Sequence, residues 1–128
     1  MIRILIVEDD CNTLTGLMEL LSQEGYQTRG AYDGRQALQL FRDKPDDLVL
    51  CDYRLPDIDG LAVCEKIQQI QSTTKLIMMT AFSRAEIVNR AREIGILKVI
   101  NKPISLEQLL AAIEAACSRM QKKNAMLL

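Results

Sequence analysis

The sequence predicts an α/β fold in which an open parallel β-sheet carries helices on both faces. Five short segments rich in Ile, Val and Leu alternate with five longer segments in which apolar residues recur with helical spacing. Several of the short segments are apolar without interruption, which is typical of strands covered on both faces. Because strands and helices alternate and the connections are short, consecutive strands are expected to run parallel, with a helix crossing between them.

The first half of the chain contains three predicted strands and three predicted helices. The strands are residues 2–7, residues 26–32, which are more polar and suit a sheet edge, and residues 47–52. The first helix ends at Gly25, and the second begins at the capping sequence Asp33 to Gln36. The side chains expected to be buried are Leu14, Leu17, Met18 and Leu21 in the first helix, Ala37, Leu38 and Phe41 in the second, and Leu61, Cys64 and Ile67 in the third.

The second half repeats the same alternation, with strands at residues 75–80 and 97–101. Ser83 and Glu86 have the S-x-x-E spacing of a capping box, which predicts the start of the fourth helix. That helix is expected to bury Ile87, Ala91 and Ile94 and to end at Gly95. Ser105 with Gln108 is expected to cap the last helix, whose buried side chains would be Leu106, Leu109, Leu110, Ile113 and Cys117. We expect one domain over residues 1–120, and a tail or the start of a linker over residues 121–128.

Composition excludes several classes of protein. Of 128 residues, 48% are hydrophobic and 26% are charged, which is the profile of a globular domain rather than of a disordered chain. The net charge of −1 offers no bulk attraction for nucleic acid or an anionic membrane. The chain has no histidine, so a Ser-His-Asp triad and a histidine zinc site are unavailable.

The four cysteines, Cys11, Cys51, Cys64 and Cys117, match neither a CxxC spacing nor a small disulfide scaffold, so we interpret them as free core thiols. No segment resembles a membrane span or a secretory signal, and we therefore expect a cytoplasmic protein.

Chemistry-bearing residues follow the ends of four predicted strands. Glu8-Asp9-Asp10 follows the first strand, Asp52 ends the third, Thr80 ends the fourth, and Asn101-Lys102-Pro103 closes the fifth. Functional groups in open α/β sheets lie beyond the carboxyl ends of the strands, so these side chains are expected to meet in one crevice.

Carboxylates that converge in this way repel one another and favour a cation. Mg²⁺ suits the site because it takes oxygen ligands, needs one or two protein carboxylates and keeps waters that a phosphate can replace. Lys102 and Thr80 would supply the positive charge and the hydroxyl donor that a phosphoryl group needs. Each feature alone has an ordinary explanation, since Asp10 can cap the first helix and acidic residues suit a helix N-terminus.

Taken together, these residues resemble the receiver domain of the bacterial response regulators of two-component signalling. The resemblance covers residues 2 to about 120 and rests on four motifs in this order: Ile4 to Asp10, Asp52 to Gly60, Thr80-Ala81 and Lys102-Pro103. It implies a flavodoxin-like, CheY-like doubly wound sheet of five parallel strands in the order 2-1-3-4-5, with five helices. It also implies that Asp52 accepts a phosphoryl group from the phosphohistidine of a sensor histidine kinase or a phosphotransfer protein.

The resemblance further assigns roles to individual residues. Asp9 and Asp52 match the family's direct Mg²⁺ ligands, together with the backbone carbonyl of Arg54, whereas Glu8 matches an acidic position that reaches the ion through water. Lys102 would pair with Asp52 at rest and with the phosphoryl group afterwards. The peptide bond before Pro103 is cis in the family, although cis is the minority form of X-Pro bonds in general.

The resemblance also assigns a switch, with one departure. In the family, the threonine matched by Thr80 moves towards the phosphoryl oxygens, and an aromatic residue on the fifth strand turns inward behind it. Here that position is Val99, which cannot fill the same space, and Phe82 is a candidate to replace the aromatic in part. Ala81 leaves the site open, whereas Arg54 and Phe82 flank it and are candidates to tune hydrolysis. The fourth helix, fifth strand and fifth helix would then act on an output domain or form a homodimer.

Three other functions share parts of this pattern. A flavodoxin-like FMN or nucleotide binder needs a phosphate-binding loop after the first strand, and Glu8-Asp9-Asp10 opposes such binding electrostatically. A phosphatase with an aspartyl nucleophile usually carries that aspartate after the first strand and needs a cap over its substrate. A receiver-like interaction module that is never phosphorylated would share the fold. The motifs favour a phosphoacceptor that promotes its own phosphotransfer and slow dephosphorylation over a conventional enzyme.

Overall fold

The computed structural model describes the backbone of residues 1–127 and the side chains of residues 1–118. Strands and helices alternate throughout this part of the chain. They are β1 (Arg3–Val7), α1 (Cys11–Gln23), β2 (Gln27–Ala31), α2 (Gly34–Asp43), β3 (Leu48–Asp52), α3 (Gly60–Ile70), β4 (Lys75–Thr80), α4 (Ala85–Ile94), β5 (Lys98–Asn101) and α5 (Leu106–Leu127). Each predicted strand and helix is present, with boundaries shifted by a residue or two.

The strands form one parallel sheet in the order β2-β1-β3-β4-β5. The predicted fold and strand order are therefore confirmed, and β2 lies at an edge as its polar composition indicates. The order reverses at β1, so β1 and β3 are neighbours at the switch point of the sheet. Their carboxyl ends consequently open into the same crevice.

The core has two layers, one on each face of the sheet. Successive residues of β1 alternate between them, because side chains along a strand point to opposite faces: Ile4 and Ile6 pack with α1 and α5, and Leu5 and Val7 pack with α2, α3 and α4. Helices on both faces explain why the central strands are apolar throughout.

Aspartates cap three of the helices. The side chain of Asp10 accepts a hydrogen bond from the Thr13 amide at the start of α1, Asp33 accepts one from Gln36 in α2, and Asp59 accepts one from Ala62 in α3. Asp10 thus serves as the helix cap that we expected. Gly95 ends α4 as predicted, with a positive φ of 103° that glycine adopts without strain.

The predicted capping box at α4 is wrong. The N-cap of α4 is Arg84, and no side chain makes a capping hydrogen bond there. The helix starts one residue later than predicted, so Ser83 lies outside it, and the Thr80 hydroxyl contacts the backbone of Phe82 in the turn before it. At α5 the amide of Gln108 donates to the Ser105 hydroxyl at 3.3 Å, so that cap is confirmed.

Several predicted core positions are also corrected. Leu61 is only partly buried, and the neighbouring Val63 takes its place in the core. Leu106 is 51% exposed because it is the first residue of α5, before that helix reaches the sheet. Met18, Ile87 and Leu110 are partly buried. Cys11 is exposed at the start of α1, whereas Cys51, Cys64 and Cys117 are buried free thiols as expected.

The C-terminal segment predicted as a tail, residues 121–128, lies outside the residues whose side chains are described, and the backbone of α5 runs through Leu127. Among the described residues, no helix combines the length and apolar character needed to cross a membrane.

Candidate functional site

The carboxyl ends of the central strands bring the predicted site residues together. Parallel pairing places the end of β1 beside β3, β3 beside β4, and Thr80 directly opposite Asn101 of β5. Glu8, Asp52 and Thr80 are all buried at this edge, and Lys102 reaches into it from the segment after β5. The sheet therefore assembles the crevice that the strand ends predict.

Lys102 bridges two carboxylates. Its Nζ lies 2.5 Å from Asp52 Oδ2 and 3.1 Å from Glu8 Oε1. The lysine side chain is 27% exposed, whereas only 6% of the Asp52 side chain and 2% of the Glu8 side chain are exposed. The peptide bond between Lys102 and Pro103 is cis, as the family resemblance implies.

Burial and close contact change the pKa of two side chains in this cluster. Burial, together with the nearby Asp52 carboxylate, raises the pKa of Glu8 to about 8, and Lys102 opposes the change. Burial disfavours the charged form of Lys102, but the contacts with Asp52 and Glu8 more than compensate and raise its pKa. Glu8 Oε2 is buried and has no hydrogen-bond partner among the side chains described. The raised pKa favours the protonated form of Glu8 at neutral pH, and its Oε2 is left without a partner among the described residues.

The same carboxylates could hold a metal ion. Glu8, Asp9 and Asp52 each offer an oxygen, and these oxygens lie within 4.8 Å of one another. Asp9 is exposed, so the cluster opens to solvent on one side. Oxygen donors, excess negative charge and an unpartnered buried oxygen are the features that a hard divalent cation satisfies. The residues present therefore fit Mg²⁺.

The loop after β3 folds back onto Asp52. The amide of Arg54 donates to Asp52 Oδ1 at 3.2 Å, and the amide of Gly60 donates to the carbonyl of Tyr53 at 2.7 Å, which closes the loop. A Cβ at Gly60 would lie 2.3 Å from the Asp52 carbonyl oxygen, so this close approach requires glycine. From the sequence, Gly60 is predicted only as a loop residue, although a glycine directly after the capping Asp59 is an available signal.

The predicted switch residues lie on the other side of the crevice. The Thr80 hydroxyl accepts from the amide of Phe82 at 2.9 Å. Phe82 is 40% exposed, and the guanidinium carbon of Arg54 lies 4.4 Å from the centre of its ring. Ala81 is exposed. Val99 is partly buried and lines an open groove of about 470 Å³ between α4 and β5.

Comparison with known proteins agrees with this geometry. The response regulator receiver domain family matches residues 4–114. The transcriptional regulatory protein ZraR of Salmonella typhimurium is 36% identical over 124 residues, which cover 97% of this chain and 28% of ZraR. Sporulation initiation phosphotransferase F of Bacillus subtilis is 32% identical over 112 residues, which cover 88% of this chain and 90% of that protein.

A solved structure shows the same architecture. The CheY-like receiver domain protein of Methanospirillum hungatei superimposes with a TM-score of 0.92 at 29% identity, covering 96% of this chain and 98% of that one. The chain thus spans about a quarter of ZraR but nine-tenths of the sporulation phosphotransferase. The family match extends over most of the chain and includes β1, β3, β4 and β5, whose ends carry the cluster. The chain therefore belongs to the response regulator receiver domain family of two-component signalling.

Proposed function

We propose that Asp52 accepts a phosphoryl group from a sensor histidine kinase or a phosphotransfer protein in a Mg²⁺-dependent reaction. The observation that carries the proposal is the contact of Lys102 with both Asp52 and Glu8 at the carboxyl edge of the sheet. The acyl phosphate then changes the surface formed by α4, β5 and α5, which controls an output domain or a partner. Slow hydrolysis returns the domain to its resting state.

Four groups would hold Mg²⁺ in this proposal. Asp9, Asp52 and the backbone carbonyl of Arg54 would bind it directly, and Glu8 would reach it through water. The unpartnered Glu8 Oε2 and the clustered carboxylate oxygens support this assignment. When bound, the ion would offset the repulsion between the Asp52 carboxylate and an incoming phosphoryl group.

The phosphoryl transfer itself requires one nucleophile and fixed positive charge. An Asp52 oxygen attacks phosphorus in line, the new O–P bond forms as the P–N bond of phosphohistidine breaks, and the released imidazole nitrogen keeps the electron pair. Lys102, already in contact with Asp52, would turn to the phosphoryl oxygens. Its ammonium stabilises the charge that these oxygens carry in the transition state.

Thr80 would report the modification to the rest of the domain. Its hydroxyl is engaged with the backbone of Phe82 in the resting structure. A phosphoryl oxygen on Asp52 would offer that hydroxyl a charged acceptor, which forms a stronger hydrogen bond than a neutral one. Releasing Phe82 would change the segment that leads into α4.

The direct test is incubation with acetyl phosphate and Mg²⁺, followed by intact mass. The parent is expected to gain the mass of one phosphoryl group, and Asp52→Asn is expected to gain none. Asp59→Asn is a matched control, because it removes a carboxylate from the same loop while Asn can still cap α3. A parent without an adduct, or an adduct that persists in Asp52→Asn, would refute the proposal and favour an interaction module that is never phosphorylated.

A further inference from the structure

Asp57 ties the loop after β3 to the start of α2. Its Oδ1 accepts a hydrogen bond from the amide of Gly34 at 2.9 Å, and its Oδ2 accepts one from the amide of Arg35 at 2.8 Å. These two amides belong to the first turn of α2, where backbone donors have no partner within the helix. The contact therefore joins segments that are 23 residues apart.

The helix does not need Asp57 as its own cap. Asp33 already occupies the N-cap position of α2 and accepts from the amide of Gln36 at 2.8 Å. A second carboxylate, supplied by a different loop, satisfies the two amides that Asp33 leaves free. Because Asp33 and Asp57 accept from different amides, the Asp57 contact can fix the loop after β3 as well as satisfy the start of α2.

A close apolar contact supports the same tie. A Cβ at Gly34 would lie 2.4 Å from Cγ1 of Ile58, the residue after Asp57. Glycine at the first position of α2 therefore admits the Ile58 side chain, which packs against the core. The amide of Ile58 also donates to Asp57 Oδ1 at 2.9 Å, so the loop backbone turns around this carboxylate.

The loop held in this way carries the backbone next to the phosphoacceptor. Arg54, three residues before Asp57, donates its amide to Asp52 Oδ1, and Gly60 closes the loop through the carbonyl of Tyr53. We propose that Asp57 is a positioning residue, which fixes the backbone of Arg54 beside Asp52 by anchoring the loop on α2. The part of the proposal that concerns Mg²⁺ rests on the proposed function, in which the Arg54 carbonyl is a ligand.

The test compares Asp57→Ala with Asp33→Ala. Both variants remove a carboxylate from the N-terminus of α2, but only Asp57 belongs to the loop. The first measurement is amide hydrogen exchange at Gly60 and Arg54 in metal-free protein, and the second is the Mg²⁺ dissociation constant from an NMR titration. Thermal unfolding of both variants measures the loss of helix capping separately.

Asp57→Ala is expected to accelerate exchange at Gly60 and Arg54 and to weaken Mg²⁺ binding about tenfold, as loss of a group that orients a ligand typically does. Asp33→Ala should lower the melting temperature without either effect. Asp57→Asn keeps an oxygen that can accept from the amides of Gly34 and Ile58 but loses the oxygen that accepts from Arg35. It should therefore give exchange rates and a Mg²⁺ affinity between those of the parent and Asp57→Ala.

Unchanged exchange at Gly60 and Arg54 in Asp57→Ala, or equal acceleration in the two alanine variants, would overturn the proposal and leave Asp57 as a helix cap. Accelerated exchange with unchanged Mg²⁺ affinity would support the anchoring of Arg54 by Asp57 but overturn the part of the proposal that concerns Mg²⁺. Failure of the proposed function gives a different result, since the parent itself would then take no phosphoryl group from acetyl phosphate.

Discussion

Glu8 is a buried acid, and only one of its two carboxyl oxygens has a hydrogen-bond partner among the described residues. Lys102 contacts Oε1, but Oε2 has no partner among the described side chains. Burial raises the pKa of Glu8 to about 8, so folding at neutral pH must protonate a side chain that is ionised in the unfolded chain, and this lowers stability. We therefore expect Glu8→Gln to stabilise the metal-free protein by about 1 kcal/mol or more while reducing the stabilisation that Mg²⁺ provides.

Urea denaturation with and without Mg²⁺ measures both effects of Glu8→Gln. Glu19→Gln is the matched control, since Glu19 is exposed on α1 and its loss should change neither value. A Glu8→Gln protein that is less stable without metal than the parent would show that the carboxylate is already satisfied.

Arg54 and Phe82 form a pair at the mouth of the site. The guanidinium lies 4.4 Å from the ring centre, and both side chains are exposed. If Asp52 is phosphorylated as proposed, we expect this pair to restrict the approach of water to the acyl phosphate. An exposed cation–π contact contributes about 0.5 to 1 kcal/mol, which corresponds to a rate change of about two- to fivefold.

We accordingly expect Arg54→Ala and Phe82→Ala each to shorten the lifetime of the acyl phosphate by that factor. Decay of the phosphorylated mass after removal of acetyl phosphate gives the lifetime. Arg42→Ala, which removes an exposed arginine from α2, should decay like the parent. If neither variant at the site changes the decay, the pair does not control access of water.

The sequence predicts single residues well where the fold forces them together. Glu8, Asp52 and Lys102 can be grouped from the sequence alone, because the carboxyl ends of parallel strands share one edge. Asp57 cannot be found in this way, since its partners in α2 lie 22 and 23 residues earlier in the chain and are backbone amides that carry no sequence signal. Likewise, the sequence does not show that Glu8 Oε2 lacks a partner, because this depends on how the side chains pack in the fold.

At the scale of the helices and strands, two glycines have opposite requirements. A Cβ at Gly60 would lie 2.3 Å from the Asp52 carbonyl oxygen and 2.9 Å from Tyr53 Cα, whereas a Cβ at Gly16 would meet nothing within 4 Å. Gly60→Ala must move backbone, and we expect it to cost about 1 to 3 kcal/mol. Gly16→Ala lies inside α1 and should stabilise by about 0.5 to 1 kcal/mol.

Chemical denaturation of the two glycine variants gives these free energies directly. Phosphorylation by acetyl phosphate should be impaired in Gly60→Ala, because its strain falls on the backbone of Asp52, and retained in Gly16→Ala. Equal stability of the two variants would show that the loop after β3 can move to accommodate a Cβ at Gly60 without loss of stability.

The helix starts give a second pair of variants at this scale. Asp59 caps α3 through the amide of Ala62 at 2.9 Å, whereas Ser83 makes no capping bond at α4. Asp59→Ala should therefore destabilise the protein by about 1 kcal/mol, and Ser83→Ala should leave its unfolding midpoint unchanged. A clear loss of stability in Ser83→Ala would restore the capping box that the spacing predicts.

For the whole molecule, the alternation of strands and helices predicts a parallel sheet but leaves the order of its strands open. The order 2-1-3-4-5 is implied by the family resemblance and is confirmed. Apolar periodicity misplaces Leu106 because a helix can satisfy the spacing before it reaches the core, where Leu109 is the first buried residue of α5. Depth in the core depends on where the layers meet, which periodicity does not encode.

The response of the whole domain to phosphorylation should follow the Thr80 contact into α4 and β5. Beryllofluoride with Mg²⁺ mimics the phosphoryl group, and we expect amide chemical shifts to change from Phe82 through α4 and β5 as the Thr80 hydroxyl leaves the Phe82 amide. Val99 is smaller than the aromatic residue that the family carries at this position, so Phe82 should show the larger change. Asp52→Asn controls for effects of the reagents alone. Shifts confined to the neighbours of Asp52 would contradict a switch through this face, because the modification would then have no path to the α4, β5 and α5 surface.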